Sequence, residues 1–159
     1  CLFCAEAGTG FEASDSSVSV FEQLAASRTK VEKRYHAHKF IAYFQNYTNT
    51  FLPLDRLLGY MEEASKVEDI VEISISTRPD CIRQDYLEAF YEFSSQTGIE
   101  VSIELGLQTV NYHTLMEMNR GHGLAEFIDA VLRIAPYRGI RWMMRRNLQE
   151  SCLHCRFPW

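Results

Sequence analysis

No apolar run in this 159-residue chain approaches the length of a membrane span, and no signal peptide can be read in it. An even set of cysteines is also missing. Five thiols without a secretory signal favour reduced cysteines or metal ligands over a disulfide framework. An excess of positive charge is absent too, since the chain carries a net charge of −5. That balance is uneven. Residues 138–159 hold five arginines against Glu150 alone, a local +4, which leaves −9 on the rest of the chain. An acidic body argues against a broad nucleic-acid surface. With 47% hydrophobic and 23% charged residues, the composition is that of a globular domain with a sizeable core. These exclusions leave a cytoplasmic α/β domain as the expectation.

The chain does not open on methionine but on Cys1-Leu2-Phe3-Cys4, a Cys-x-x-Cys with nothing ahead of it. Two thiolates at this spacing reach one metal, while an iron–sulfur cluster or a closed zinc site needs further ligands. The expectation is a fragment whose parent holds a metal or cluster near this end.

Four apolar runs have strand character: residues 39–44, 70–76, 100–105 and 139–144. They start 30 to 40 residues apart, roughly the size of a βα unit. Helical periodicity fills the gaps. Leu54, Leu57, Leu58 and Met61 form one stripe, and Leu87, Phe90, Tyr91 and Ser94 another, with Gly98 where a helix end wants a left-handed residue. Leu124, Phe127, Ile128, Val131, Leu132 and Ala135 make the strongest stripe, and a further helix is expected over residues 17–34. Alternating strands and helices predict a parallel sheet with right-handed crossovers. The richness in Ile, Val, Phe and Tyr predicts strands buried on both faces. An open doubly wound sheet and a β/α barrel both fit this pattern.

The segments after the strands are polar: Gln45-Asn46-Tyr47-Thr48-Asn49, then Thr77-Arg78-Pro79-Asp80, then Gly106-Leu107-Gln108-Thr109. In parallel α/β folds the strand C-termini face the ligand. Glu104 sits among apolar strand residues and needs a partner, for which Arg78 on the neighbouring strand end is the expected one. Arg78 also has Asp80 within reach across a turn. His122, between Gly121 and Gly123, reads as a loop hydrogen-bonder rather than a catalytic base. His36 and His38 read as solvated.

Taken in order, Cys1-x-Phe3-Cys4, Ala42-Tyr43-Phe44-Gln45-Asn46-Tyr47-Thr48-Asn49-Thr50, Thr77-Arg78-Pro79-Asp80-Cys81, Glu104-Leu105-Gly106-Leu107-Gln108-Thr109 and Asn119-Arg120-Gly121-His122 resemble the radical S-adenosylmethionine (SAM) superfamily. The resembled branch is bacterial and of unassigned role, related to the elongator catalytic subunit and to oxygen-independent coproporphyrinogen oxidase. The resemblance covers about residues 1–140. It implies a partial (β/α) barrel of the radical SAM type, with a 4Fe–4S cluster and SAM as cofactors. One electron from the cluster, delivered by a donor such as flavodoxin or ferredoxin, splits SAM to methionine and a 5′-deoxyadenosyl radical. It also implies that Cys1 and Cys4 are two of three cluster ligands and that Phe3 packs near the adenine. Gln45, Asn46 and Thr48 occupy the place of a Gly-Gly-Glu that holds the SAM amino group in many relatives, a motif this chain lacks. Ser76 or Thr77 sits where relatives place an acidic residue on the ribose, and Gln108 matches a glutamine facing ribose or substrate. Arg78 is a candidate contact for a carboxylate. Relatives act on tRNA bases and on porphyrins, so an RNA substrate is one class among several.

The chain departs from the resembled pattern at both ends. The first strand and the first cluster cysteine are missing, so the expectation is a truncated barrel with an exposed edge at the first strand present, in a chain that by itself is inactive. After about Arg141 the pattern gives way to a basic segment, read as a frame-shifted or aberrant tail over residues 141–159. That tail carries Cys152-Leu153-His154-Cys155. Together with Cys1 and Cys4 it offers an alternative: a zinc-binding structural or interaction module.

Overall fold

The computed structural model describes residues 18–45 and 48–144, together with the backbone of residues 152–154. Its centre is one parallel sheet. Strands β1 (Phe40–Phe44), β2 (Ile70–Thr77), β3 (Glu100–Leu105), β4 (Ile140–Met144) and β5 (Cys152–His154) lie in the order β4-β3-β2-β1-β5. From β1 to β4 each strand lies beside the one before it, always on the same side. Right-handed crossovers that progress in one direction place every connecting helix on one face of the sheet. A doubly wound sheet needs a reversal of direction, and β1 to β4 contain none.

The helices begin and end where local chemistry dictates. Helix α1 (Val20–Tyr35) starts at a capping box: Ser19 Oγ accepts from the Glu22 amide at 3.3 Å, and Glu22 Oε2 accepts from the Ser19 amide at 3.3 Å. Lys33 and Arg34 occupy its last turn, where cations complement the helix dipole. Helix α2 (Leu54–Ser65) follows Pro53. Helix α3 (Gln84–Thr97) stops at Gly98, which takes the left-handed conformation at φ 73°. Between β3 and β4 lie a short helix α4 (Tyr112–Glu117) and helix α5 (Leu124–Ile134). The four long helices and the four main strands fall where the periodicity places them; α4 and two 3-10 turns carry no such pattern.

The register divides the sheet into two chemically distinct faces. Tyr43, Ser74, Ser102 and Arg141 are directly paired neighbours across β1 to β4. Side chains alternate along each strand, so Glu72, Ser76, Glu100, Glu104 and Met143 share their side. The other face carries Ala42, Phe44, Ile73, Ile75, Val101, Ile103 and Leu105. These residues form the core with Leu24 of α1, Leu57 and Met61 of α2, Leu87 and Phe90 of α3, and Phe127, Ala130 and Ile134 of α5. The central strands are buried on both faces, as expected, but the two faces differ in chemistry. Only the helix-covered face is apolar, and the opposite one is lined by carboxylates and hydroxyls that are nonetheless buried.

The edge at β1 also differs from expectation. Backbone of Cys152–His154 pairs in parallel with Ile41, Ala42 and Tyr43, so β1 is an interior strand along that stretch. Strand β4 runs across the 140/141 boundary as far as Met144. Arg141 within it is ion-paired to Glu72 and, at 2.7 Å, to Glu100.

Candidate functional site

The C-terminal ends of β1, β2 and β3 are tied together by side chains just beyond them. Asn49 is fully buried, and its Nδ2 donates to Phe44 O at 2.6 Å and to Ser76 O at 2.7 Å. One amide thus bridges the last carbonyl of β1 and the penultimate carbonyl of β2. Thr50 continues the tie: its hydroxyl lies 2.6 Å from that of Thr77 and donates to Cys81 O at 2.9 Å. The Gly106 amide donates to Thr77 O at 3.1 Å, which joins the end of β3 to that of β2.

On the polar face beneath these ties, the Tyr43 hydroxyl donates to Glu104 Oε2 across the intervening strand. The partner expected for Glu104 was Arg78, and that assignment is corrected. Arg78 makes a two-pronged pair with Asp80, Nε to Oδ1 at 3.0 Å and Nη2 to Oδ2 at 2.5 Å. Tyr43 wins because it projects onto the same face as Glu104, whereas Arg78 lies past the strand end where the chain has turned into a 3-10 segment (Pro79–Cys81). Lower on that face, the Ser102 hydroxyl donates to Glu72 Oε1 at 2.6 Å. Ser74 Oγ is buried with no hydrogen-bond partner among the described residues.

A second group of polar side chains gathers between β2, β3 and α5. Arg120 is nine-tenths buried, and its Nη2 donates to Gly106 O at 2.6 Å. A methyl group on Gly106 would meet that nitrogen at 2.7 Å, so glycine is the residue that lets the guanidinium lie against the strand end. Gly121, at φ 73°, leaves room for Arg78, whose Nη2 would sit 3.1 Å from a Cβ there. Between these arginines His122 is 6% exposed, and neither ring nitrogen has a hydrogen-bond partner among the described residues. The reading of His122 as a loop hydrogen-bonder is corrected accordingly. Burial, then the charges of Arg120 and Arg78, push its pKa below the usual histidine value; Asp80 and the Gly123 backbone act in the opposite sense. The imidazole is therefore neutral at pH 7. Cys81 beside the cluster is half-buried, and burial followed by Asp80 pushes its thiol up. The thiol is protonated at pH 7 and is a poor nucleophile.

The residues singled out in the sequence distribute unevenly over this arrangement. Gln45 and Thr48 are half-buried at the end of β1. Thr77 is buried on the helix side, with its hydroxyl engaged by Thr50, while its neighbour Ser76 faces the polar side. Gln108 is exposed, in the left-handed region at φ 74°. Arg78 is engaged with Asp80, and His36 and His38 are exposed. Phe3, Cys1, Cys4, Asn46 and Cys155 lie outside the described residues, and Cys152 is described only as backbone. Among the described residues no three His, Cys, Asp or Glu side chains come together as a metal site.

No protein-family model matches the chain. Its curated relatives include "Uncharacterized protein YtqA" of Bacillus subtilis, 35% identical over 141 residues, and "Protein YhcC" of Escherichia coli K12, 37% identical over 141 residues. "Uncharacterized protein MJ0486" of Methanocaldococcus jannaschii is 29% identical over 142 residues. Each alignment takes in 89% of this chain but 43–44% of the relative. The chain thus spans less than half the length of the curated relatives it matches.

Asn49 and Thr50, the residues that tie the strand ends, stand inside the polar segment after β1. Sequence reasoning chose their neighbours because nothing local distinguishes a buried amide from an exposed one. The pairing of Tyr43 with Glu104 spans 61 positions and becomes visible once the register is known. One signal for the polar face was present, the alternation Glu72-Ile73-Ser74-Ile75-Ser76, with apolar residues at every second position.

Proposed function

We propose that this chain is part of the core of a radical SAM enzyme, a partial (β/α) barrel in which Cys1 and Cys4 ligate a 4Fe–4S cluster. The observation that carries the reading is the singly wound parallel sheet, with its helices on the apolar face and its other face polar and buried. In a (β/α) barrel the helices likewise cover one face of the sheet while the other is enclosed, and ligands bind at the strand C-termini. No helix among the described residues is long and apolar enough to cross a membrane, which accords with an enzyme of the cytoplasm.

The donor chemistry of the strand ends fits SAM. The ammonium, ribose hydroxyls and carboxylate of this cofactor call for acceptors and donors near one another. Gln45, Asn46 and Thr48 after β1, Arg78 after β2 and Gln108 after β3 provide amides, a hydroxyl and a guanidinium, whereas Thr77 at the end of β2 keeps its hydroxyl on the helix side with Thr50. Phe3 supplies an apolar surface for the adenine. When bound, the cluster supplies the electron that cleaves the sulfonium, received from a small electron-transfer protein such as flavodoxin or ferredoxin. The protein's own contribution is to hold the cofactor against the polar face and to exclude water, for which buried Tyr43, Ser76 and Glu104 are suited. The substrate is left open, RNA among the candidates.

The test is anaerobic reconstitution of the chain with iron and sulfide, a small thiol being present to complete the ligand set. Elemental analysis and product detection after reduction with SAM follow. Iron and sulfide bound in equal amounts with the added thiol and lost in Cys1→Ala and Cys4→Ala is the expected result, with 5′-deoxyadenosine not expected from a chain that carries two of the three cluster ligands. Zinc retained through Cys1, Cys4, Cys152 and Cys155 in place of iron and sulfide would establish the structural-module alternative instead. Retention of neither metal would overturn both.

A further inference from the structure

At the amino end of β1 the surface reverses the charge of the molecule. Residues 29–39 carry Lys30, Lys33, Arg34 and Lys39 against Glu32 alone, a local +3 on a chain of net −5. All four cations are exposed, and none makes an ion pair among the described residues. The acids that would neutralise them are held by Arg28 instead: Asp69 at 2.5 Å, Glu68 at 3.6 Å and Glu32 at 3.7 Å. Arg28 itself lies over the ring of buried Phe40, 5.5 Å from its centroid. The helix dipole accounts for Lys33 and Arg34 in the last turn of α1, but its effect fades beyond that turn and does not explain Lys30 or Lys39. Lys30, Lys33 and Arg34 are spaced i, i+3 and i+4, so they share one face of α1. Beside them Tyr35 is 57% exposed, with the Arg34 guanidinium 5.3 Å from its ring centroid. His36, left-handed at φ 54°, ends the helix there, and Lys39 directly precedes β1. This end of β1 is opposite the one that Asn49 ties to β2.

Three kinds of anionic partner meet a basic surface, and two fit this one poorly. A membrane needs apolar side chains to insert beside the cations. The other large exposed hydrophobic residue of α1, Phe21, stands roughly 21 Å along the helix from Tyr35. An acidic protein needs an apolar interface core, which lysines around one tyrosine do not supply. A nucleic-acid strand needs what is present: cations for its phosphates and an exposed ring for an unpaired base. We infer that Lys30, Lys33, Arg34 and Lys39 bind the phosphodiester backbone of a single-stranded nucleic acid, and that Tyr35, with Arg34 beside it, stacks on a base. The patch is narrow, so a strand crosses the molecule here while the acidic body repels it elsewhere. Binding at this surface needs neither the cluster nor SAM, so it holds or fails apart from the radical SAM reading.

The experiment follows the fluorescence anisotropy of a fluorescein-labelled RNA of mixed sequence, about 15 nucleotides long, titrated with the full chain in the absence of iron, sulfide and SAM. The expected result is saturable binding that weakens with salt, with a log–log slope of about −3 for four phosphates at about −0.7 each. Lys30→Gln combined with Lys33→Gln is expected to weaken binding about tenfold or more and to reduce the slope by about half. Tyr35→Ala is expected to weaken it about fivefold or more with the slope unchanged. These side chains are exposed, and the urea midpoint checks that each variant stays folded. The arginine-rich segment after Arg141 is the rival source of charge. Arg145→Gln with Arg146→Gln is expected to leave the affinity within about twofold. Binding lost in that pair yet intact in the lysine pair would overturn the assignment, as would a chain that binds neither RNA nor DNA. DNA of the same sequence distinguishes the two sources of the backbone, and saturable binding of either through Lys30 and Lys33 supports the surface. Phosphatidylserine vesicles or polyglutamate bound through the same lysines more tightly than either strand would reassign it to a membrane or an acidic protein.

Discussion

Asn49 ties the ends of β1 and β2 with one amide, which donates to the final carbonyl of β1 and the penultimate one of β2. Asn49→Ala leaves both without their donor in a buried setting. The expected loss is about 2–4 kcal/mol, read as a lower urea midpoint with an unchanged slope. Asn49→Asp is expected to be worse, because a carboxylate would face two carbonyl oxygens. His122 gives a prediction with a sign. Its folded pKa is depressed, by burial first and then by Arg120 and Arg78, against Asp80. The unfolded chain therefore takes up a proton at this residue before the folded chain does. Stability attributable to His122 is present above the unfolded value of about 6.5 and is lost as pH falls towards the folded pKa. The urea midpoint is expected to drop between about pH 7.5 and about pH 5.5, and to drop less in His122→Gln. An equal drop in both proteins would remove His122 as the cause. Neither residue announces its role in the sequence. A polar residue after a strand reads the same whether it points to water or ties two strands together, and only packing distinguishes them.

At the scale of elements the sequence is far more readable, because periodicity and caps act locally. Helix α5 and the Gly98 stop on α3 both fall where the residue pattern places them, although α5 buries Phe127, Ala130 and Ile134 and leaves Leu124, Ile128 and Leu132 of the expected stripe exposed. Gly98 has open space around it and a φ of 73°. Gly98→Ala therefore tests the left-handed backbone alone and is expected to cost about 1 kcal/mol. Gly121→Ala combines the same strain with a 3.1 Å approach to Arg78 and is expected to cost more than Gly98→Ala in the same unfolding assay. Equal losses would mean that Arg78 moves aside freely. The strands show what local reading omits. Their Ile and Val residues suggest burial on two faces, yet Ser74, Ser76, Ser102 and Glu104 are just as buried, among polar partners. Burial is a property of the whole sheet, and the alternation along one strand reports the chemistry of each face without saying what covers it.

The whole molecule leaves apolar surface uncovered on one side. Leu124, Ile128 and Leu132 repeat at i, i+4 and i+8 along α5 and are exposed, Leu132 by 67%. Beside them Trp142 and Met144 are exposed on β4, and Trp142 packs edge-on against Phe127 of α5, ring centroids 6.2 Å apart. β4 is an outer strand with no neighbour on its far side among the described residues. An unpaired strand edge next to an apolar helix stripe is a surface that associates in water. The chain on its own is therefore expected to self-associate with rising concentration, seen as a growing mass in light scattering. Ile128→Lys combined with Leu132→Glu places opposite charges four residues apart on the exposed face of α5. This pair is expected to suppress association while moving the stability by no more than about 0.5 kcal/mol per site, since neither side chain belongs to the core. A wild-type chain that stays monomeric at high concentration would show that this face does not drive association. An associating double variant would shift the blame from α5 to the β4 edge, where Trp142→Arg is the next substitution to measure.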